Sequence, residues 1–222
     1  MKRLVLVLVL AVASTLGAGS SSVLAAGSGA ANAHALPQSE IFATNNTATI
    51  TDPNDPRLHT RLVRFEHQVD DIIRDGGAQP RRSTLLDGVF WSSDQQAITY
   101  ETSREFDVDR TDPAELHTIA DTVRVQFHQE SVLTFEFLPR TSPRVNAVQI
   151  ETPGIDVQRL HDGLVANPAL RDELVGGSVT RQHELILIAS LSDLAMAQQF
   201  IASLGGSPSA STIEYGADEF VG

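Results

Sequence analysis

His117, Asp121, Arg124 and His128 follow one another at spacings of four, three and four, the intervals that place side chains on one helix face. Two histidines and a carboxylate are ligands a divalent metal accepts. On such a helix, however, His117 and His128 stand about 16 Å apart at roughly 1.5 Å per residue. One ion cannot span that distance, so the row reads as a solvated face with ion pairs, and no metal or other cofactor is expected. Gln129, Glu130 and Ser131 come next, where helix gives way to strand. Their structural reading is satisfaction of backbone groups at the turn. Their chemical reading makes Glu130 a general base beside His128 and near Glu101, so Glu101, His128 and Glu130 are the candidate catalytic residues.

A second set of carboxylates lies on strands. From Ala97 to Val108 the chain alternates, with Ile98, Tyr100, Phe106 and Val108 on one face and Thr99, Glu101, Ser103, Glu105 and Asp107 on the other. The stretch from Leu85 to Leu138 thus reads as a β-hairpin, an amphipathic helix and a returning strand. The helix opens on Asp112, Pro113 and Glu115, a cap, a first-turn proline and an acid at the third position. Leu116, Ile119, Ala120, Val123 and Phe127 form its apolar stripe. Ser131 to Leu138 alternates Leu133, Phe135 and Phe137 against Val132, Thr134 and Glu136, and Pro139 ends it. Upstream, Ala48 to Thr51 is a candidate edge strand. Asp55-Pro56 is a cap signal for a helix carrying Leu58, Leu62, Phe65, Val69, Ile72 and Ile73, stopped by Gly76-Gly77.

After Pro143 the same order of elements returns. Val145 to Glu151 reads as strand, and Asp156 and Asn167-Pro168 start helical turns. Val175 to Thr180 and Glu184 to Ser190 form a hairpin; Ser192 caps a helix ending at Gly205-Gly206, and Thr212 to Tyr215 supplies a last strand. The fold expected is α+β, a tandem of ferredoxin-like β-α-β-β-α-β units with antiparallel sheets. Residues 34–54 form an N-terminal segment, 55–142 the first unit and 143–222 the second. Leu185 to Ala189 is apolar on both faces, so the second sheet needs a cover on each side. A face-to-face sandwich of the two sheets puts Glu101, Ser103, Glu105, Thr134 and Glu136 near an internal cleft; an edge-to-edge merger leaves them in solvent. On the first arrangement a polar cleft around Trp91, Glu101, Glu105, Glu130 and Glu136 holds water or a small ligand. Trp91, the only tryptophan, also suits a core or rim position.

Lys2 and Arg3 precede an apolar run from Leu4 to Leu16, and small residues lead to Ala31-Asn32-Ala33. Residues 1–33 have the form of a secretory signal peptide cleaved after Ala33 or Ala35, and the run is shorter than the roughly 20 residues a spanning helix needs. A secreted or periplasmic protein with no membrane attachment after cleavage is expected. The net charge of −12 becomes −14 when Lys2 and Arg3 leave with that segment, a surface that repels nucleic acid. No cysteine is present, which excludes disulfides and thiolate chemistry. About 187 mature residues bury roughly 70% of their unfolded surface without a staple.

At Trp91, Glu101, Ser103 and Phe127-His128-Gln129-Glu130-Ser131-Val132-Leu133, the chain resembles a family of small secreted bacterial proteins known only as a domain of unknown function. That family has a tryptophan ending one strand, a Glu-x-Ser in the next and a Phe-x-Gln-Glu-Ser-Val-Leu after the second helix. The resemblance covers about residues 85–135. It supports the fold reading and implies no activity. No nucleophile elbow, paired zinc motif or nucleotide fingerprint occurs. The function expected is therefore a non-catalytic module that binds a small molecule or a protein, with a cleft enzyme using carboxylate and histidine acid-base chemistry as the alternative.

Overall fold

A computed structural model of the protein describes residues 37–45, 50–59, 62–87 and 89–222. The signal-peptide reading, and the first half of the candidate strand at Ala48 to Thr51, lie outside these residues. Among the described residues no helix is long and apolar enough to cross a membrane. Leu36–Gly222 forms one compact unit.

The elements in order are β1 (Ser39–Ala43), α1 (Val63–Asp75), β2 (Gln79–Leu86), β3 (Val89–Ser92), β4 (Ala97–Tyr100), β5 (Ser103–Asp109), α2 (Pro113–Gln126), β6 (Val132–Phe137), β7 (Ala147–Pro153), α3 (Val157–Ala166), α4 (Pro168–Arg171), β8 (Leu174–Val179), β9 (Glu184–Ser190), α5 (Leu194–Ser203) and β10 (Thr212–Val221). All ten strands belong to one antiparallel sheet, ordered β2-β5-β1-β6-β10-β7-β9-β8-β3-β4. The halves on either side of Pro143 therefore share one sheet, joined where β6 pairs with β10 and where β8 pairs with β3.

The first strand lies in the middle of this sheet, between β5 and β6, and not at an edge near residue 50. Ser39–Ala43 is buried along its whole length, so the segment 34–54 contributes a central strand to the first unit. The long strand expected from Ala97 to Val108 is broken at Glu101 and Thr102. β4 folds back on β3, while β5 pairs with β1 and β2. Local alternation runs through the break without a change of period, which is why sequence alone joins the two pieces.

Helix starts follow local chemistry. At α2 the Asp112 carboxylate accepts from the backbone N–H groups of Ala114 and Glu115, and the Glu115 carboxylate accepts from the N–H of Asp112. Asp156 caps α3 by accepting from Arg159 N–H. Asp55 does not cap α1; its carboxylate is taken by the backbone and guanidinium of Arg57, and Pro56–His59 forms a separate 3-10 turn. A 3-10 turn, Leu191–Asp193, likewise precedes α5, which has no side-chain cap at Ser192.

The sheet curls until its β2 edge meets β8, the third strand from the other edge. Leu86, ending β2, bridges Thr180 just beyond β8, and the N–H of Asp87 donates to the O of Val179, the last residue of β8, at 2.9 Å. Three apolar clusters follow. One lies between the outer face of the first half and α1 and α2, with Ile41, Phe65, Phe106, Val108 and Ile119. Another lies under α3, α4 and α5, with Val148, Ile150, Leu187 and Phe200. The third fills the interior of the curled sheet with Phe42, Leu86, Leu133, Phe135, Ile186 and Ile188. The doubly apolar β9 is thus covered on one face by helices and on the other by the far wall of its own sheet. Both faces of β6 are buried too, and Leu133 and Phe135 point inward, so Thr134 and Glu136 lie on the outer face and not in an internal cleft.

Candidate functional site

The break between β4 and β5 opens a cavity at one mouth of the interior. Glu101 and Thr102 span it, and the Thr102 hydroxyl donates to Leu58 O at 3.0 Å while the Thr44 hydroxyl donates to Thr102 O. Opposite, α2 ends in a left-handed His128 with φ of 53°, a helix stop normally made by glycine or asparagine. The tight turn aims Gln129 at the end of β1. Its amide nitrogen donates to Thr44 O, and its amide oxygen accepts from Thr44 N–H. Gln129 therefore satisfies backbone groups, as a polar residue there is expected to do, but on another strand.

The cavity is lined by Thr44, Ser92, Glu101, Ser103, His128 and Glu130 around an apolar floor of Phe42, Leu133 and Phe220. Its enclosed part is about 50 Å³, room for about three to five waters. Glu101, His128 and Glu130 all line this cavity. Burial lifts the Glu101 pKa from 4.5 to about 7; the Ser103 hydroxyl at 3.4 Å lowers it in part, and the charge of Glu130 adds to the rise. A carboxyl in this state can accept or donate a proton near neutrality.

The remaining expected site residues are elsewhere. Trp91 is 1% exposed in the core of the second half; its indole N–H donates to Leu174 O at 3.1 Å and the Arg171 guanidinium covers its ring. Glu136 pairs with Arg144 on the outer face. Glu105 points inward further along β5, and a cavity of about 470 Å³ beside it is lined by Arg82, Glu151, Thr180, Arg181 and Glu184. The five residues assigned to one polar cleft are thus divided, because β6 presents the opposite parity and Trp91 belongs to the other core. On the helix face, His117 pairs with Glu219 and Arg124 with Asp121, the ion-paired surface its spacing suggested. Sequence reasoning missed Thr44, just past β1, and the floor residues Phe42 of β1 and Phe220 of β10, distant in the chain and without a motif.

No family model matches the chain, and no curated protein matches it in sequence. Two solved structures are similar to it. One is an anthrone oxidase-like protein, 10% identical, the likeness covering 83% of this chain and 92% of that one with a TM-score of 0.25. The other is a monooxygenase candidate from Fusobacterium nucleatum subsp. nucleatum, 8% identical, covering 84% and 94% with a TM-score of 0.25. At those values neither likeness carries an argument about this chain.

Proposed function

We propose that this chain is an exported bacterial module that holds the polar head of a small organic ligand in the Glu101 cavity, on a tandem of ferredoxin-like units closed into one sheet. The strand orders support the architecture: β2-β5-β1-β6 in the first half and β10-β7-β9-β8 in the second each place first and third strands at the centre, as that motif does. The apolar run of residues 4–16 and the Ala31-Asn32-Ala33 site support export, and the acidic surface argues against nucleic acid as a partner.

One observation carries the ligand reading. Glu101 faces the cavity with a single hydroxyl, that of Ser103, within hydrogen-bond distance, and no ion pair reaches it among the described residues. A recessed carboxyl beside an apolar floor favours a ligand that brings a donor or a cation attached to an apolar body. Acid-base catalysis by Glu101 in the same cavity is the second reading, favoured by its pKa of about 7.

Benzylamine is a suitable probe, followed by amide NMR shifts of the mature chain. Binding should move the signals of Thr44, Ser103 and Gln129, and Glu101→Gln should weaken it at least about tenfold. Shifts confined to other residues, or equal affinity in the variant, would refute the assignment. The catalytic reading requires that a bound compound be converted, and that Glu101→Gln abolish the conversion.

A further inference from the structure

We propose that Glu40, Glu105, Asp107 and Gln149 form a binding site for one hard divalent cation of the calcium class in the interior of the curled sheet. The register brings the acids together. Glu40 of β1 is the ladder partner of Asp107 of β5, and Glu105 stands two residues before Asp107, so all three project from the same inner face. They are 3%, 6% and 3% exposed respectively. One carboxylate oxygen from each lies within 4.8 Å of the others. Calcium binds oxygens at about 2.3–2.6 Å, so ligands on opposite sides of one ion stand about 4.6–5.2 Å apart.

The hydrogen bonding around the cluster is incomplete in a way that points to a missing ligand. One Asp107 oxygen faces Arg82 Nε at 3.2 Å, while its other oxygen is buried without a partner. Glu40 Oε2 is also unpartnered. From β7, Gln149 reaches into the same space at 1% exposure, with neither its amide oxygen nor its amide nitrogen in a formed hydrogen bond. It lies close enough to Glu40 and Glu151 to favour their charged forms. Orphaned buried polar atoms of this kind are rare and costly. A cation would be met by two orphaned carboxylate oxygens, the Glu105 carboxylate and the Gln149 amide oxygen together.

The donors select the ion. All are oxygens, which suits calcium, magnesium or manganese and disfavours the softer metals that prefer sulfur and imidazole. Calcium is favoured over magnesium because magnesium retains several waters and demands strict octahedral geometry, which this buried set does not offer. The cavity lined by Arg82, Glu105, Glu151, Arg181 and Glu184 supplies a polar path from the surface. Without a cation, the competing solution is protonation: burial and the neighbouring acids push Glu105 up to about 8 and Glu40 in the same direction.

The test uses the mature chain, stripped with EDTA and titrated with calcium alone by calorimetry at pH 8.5, with magnesium and manganese in parallel. Calcium should bind one to one and release protons, and saturation should raise the unfolding midpoint by roughly 5 °C or more. Glu105→Gln should weaken binding at least about a hundredfold and Gln149→Leu about tenfold, whereas Glu101→Gln should leave it unchanged. Because Gln149→Leu adds no buried charge, it serves if an acid variant fails to fold. No stoichiometric calcium binding, or equal binding by Glu105→Gln and Gln149→Leu, would overturn the site and leave a proton-sharing acid cluster. Tighter binding of magnesium than of calcium would overturn the calcium-class assignment.

Discussion

Arg104 of β5 meets Glu66 of α1 at 2.8 Å, on the face of the strand opposite to Glu105. Its guanidinium also donates to the Ser83 hydroxyl at 2.7 and 3.2 Å, tying the helix to β2 and β5 at once. Arg104 is 8% exposed, so removing it strands a partly buried acid. Arg104→Ala should cost about 3 kcal/mol in urea unfolding. Glu66→Gln, which keeps a hydrogen-bonding group at a more open position, should cost about 1 kcal/mol. Equal, small effects would show a pair held in solvent.

Stability should fall as the pH rises through neutrality. Glu101 has a folded pKa of about 7 against an ordinary 4.5, so the folded state holds its proton more tightly than the unfolded chain. Its contribution is fully present below about pH 4.5 and is lost as the pH climbs through 7. Glu105, with a pKa of about 8, extends the decline in cation-free buffer. Glu101→Gln should gain on the order of 3 kcal/mol relative to the parent between pH 4.5 and 8. Parallel stability curves for the two proteins over that range would place Glu101 in water.

Gly216→Ala should be among the most damaging single-methyl changes. A Cβ there would strike the backbone oxygen of Glu136 and the ring of Phe135, at the seam where β10 pairs with β6. No rotamer relieves a clash with a backbone atom, so the loss should exceed about 2 kcal/mol. Gly77→Ala is a useful contrast: nothing crowds its Cβ, but its φ of 91° makes the cost one of backbone strain, about 1 kcal/mol.

Trp91→Phe should cost about 2–4 kcal/mol by chemical denaturation, because it leaves Leu174 O without its donor and opens space in a closed core. Benzylamine should still bind the variant, since Trp91 does not line the Glu101 cavity.

Much of this arrangement was readable where local chemistry decides it. The Asp112 and Glu115 capping box specifies α2, and the two-sided apolarity of β9 foretold a cover on both faces. What escaped was whatever depended on pairing between distant segments. The parity of β6 is ambiguous because inward and outward positions are both buried. The β1 strand carries Glu40 in a buried position, which its sequence does not advertise. Glu101, His128 and Glu130 were recognisable as neighbours because a helix stop and a strand break bring them together. Glu40 and Gln149 share no motif, and only the curl of the sheet makes them neighbours.

The seam between β6 and β10 also governs the order in which the chain can mature. Val221, at the end of β10, packs in the same cluster as Ile41 and Phe65 near the start. The first half cannot finish its core while the ribosome is still making the second. Such long-range closure slows folding.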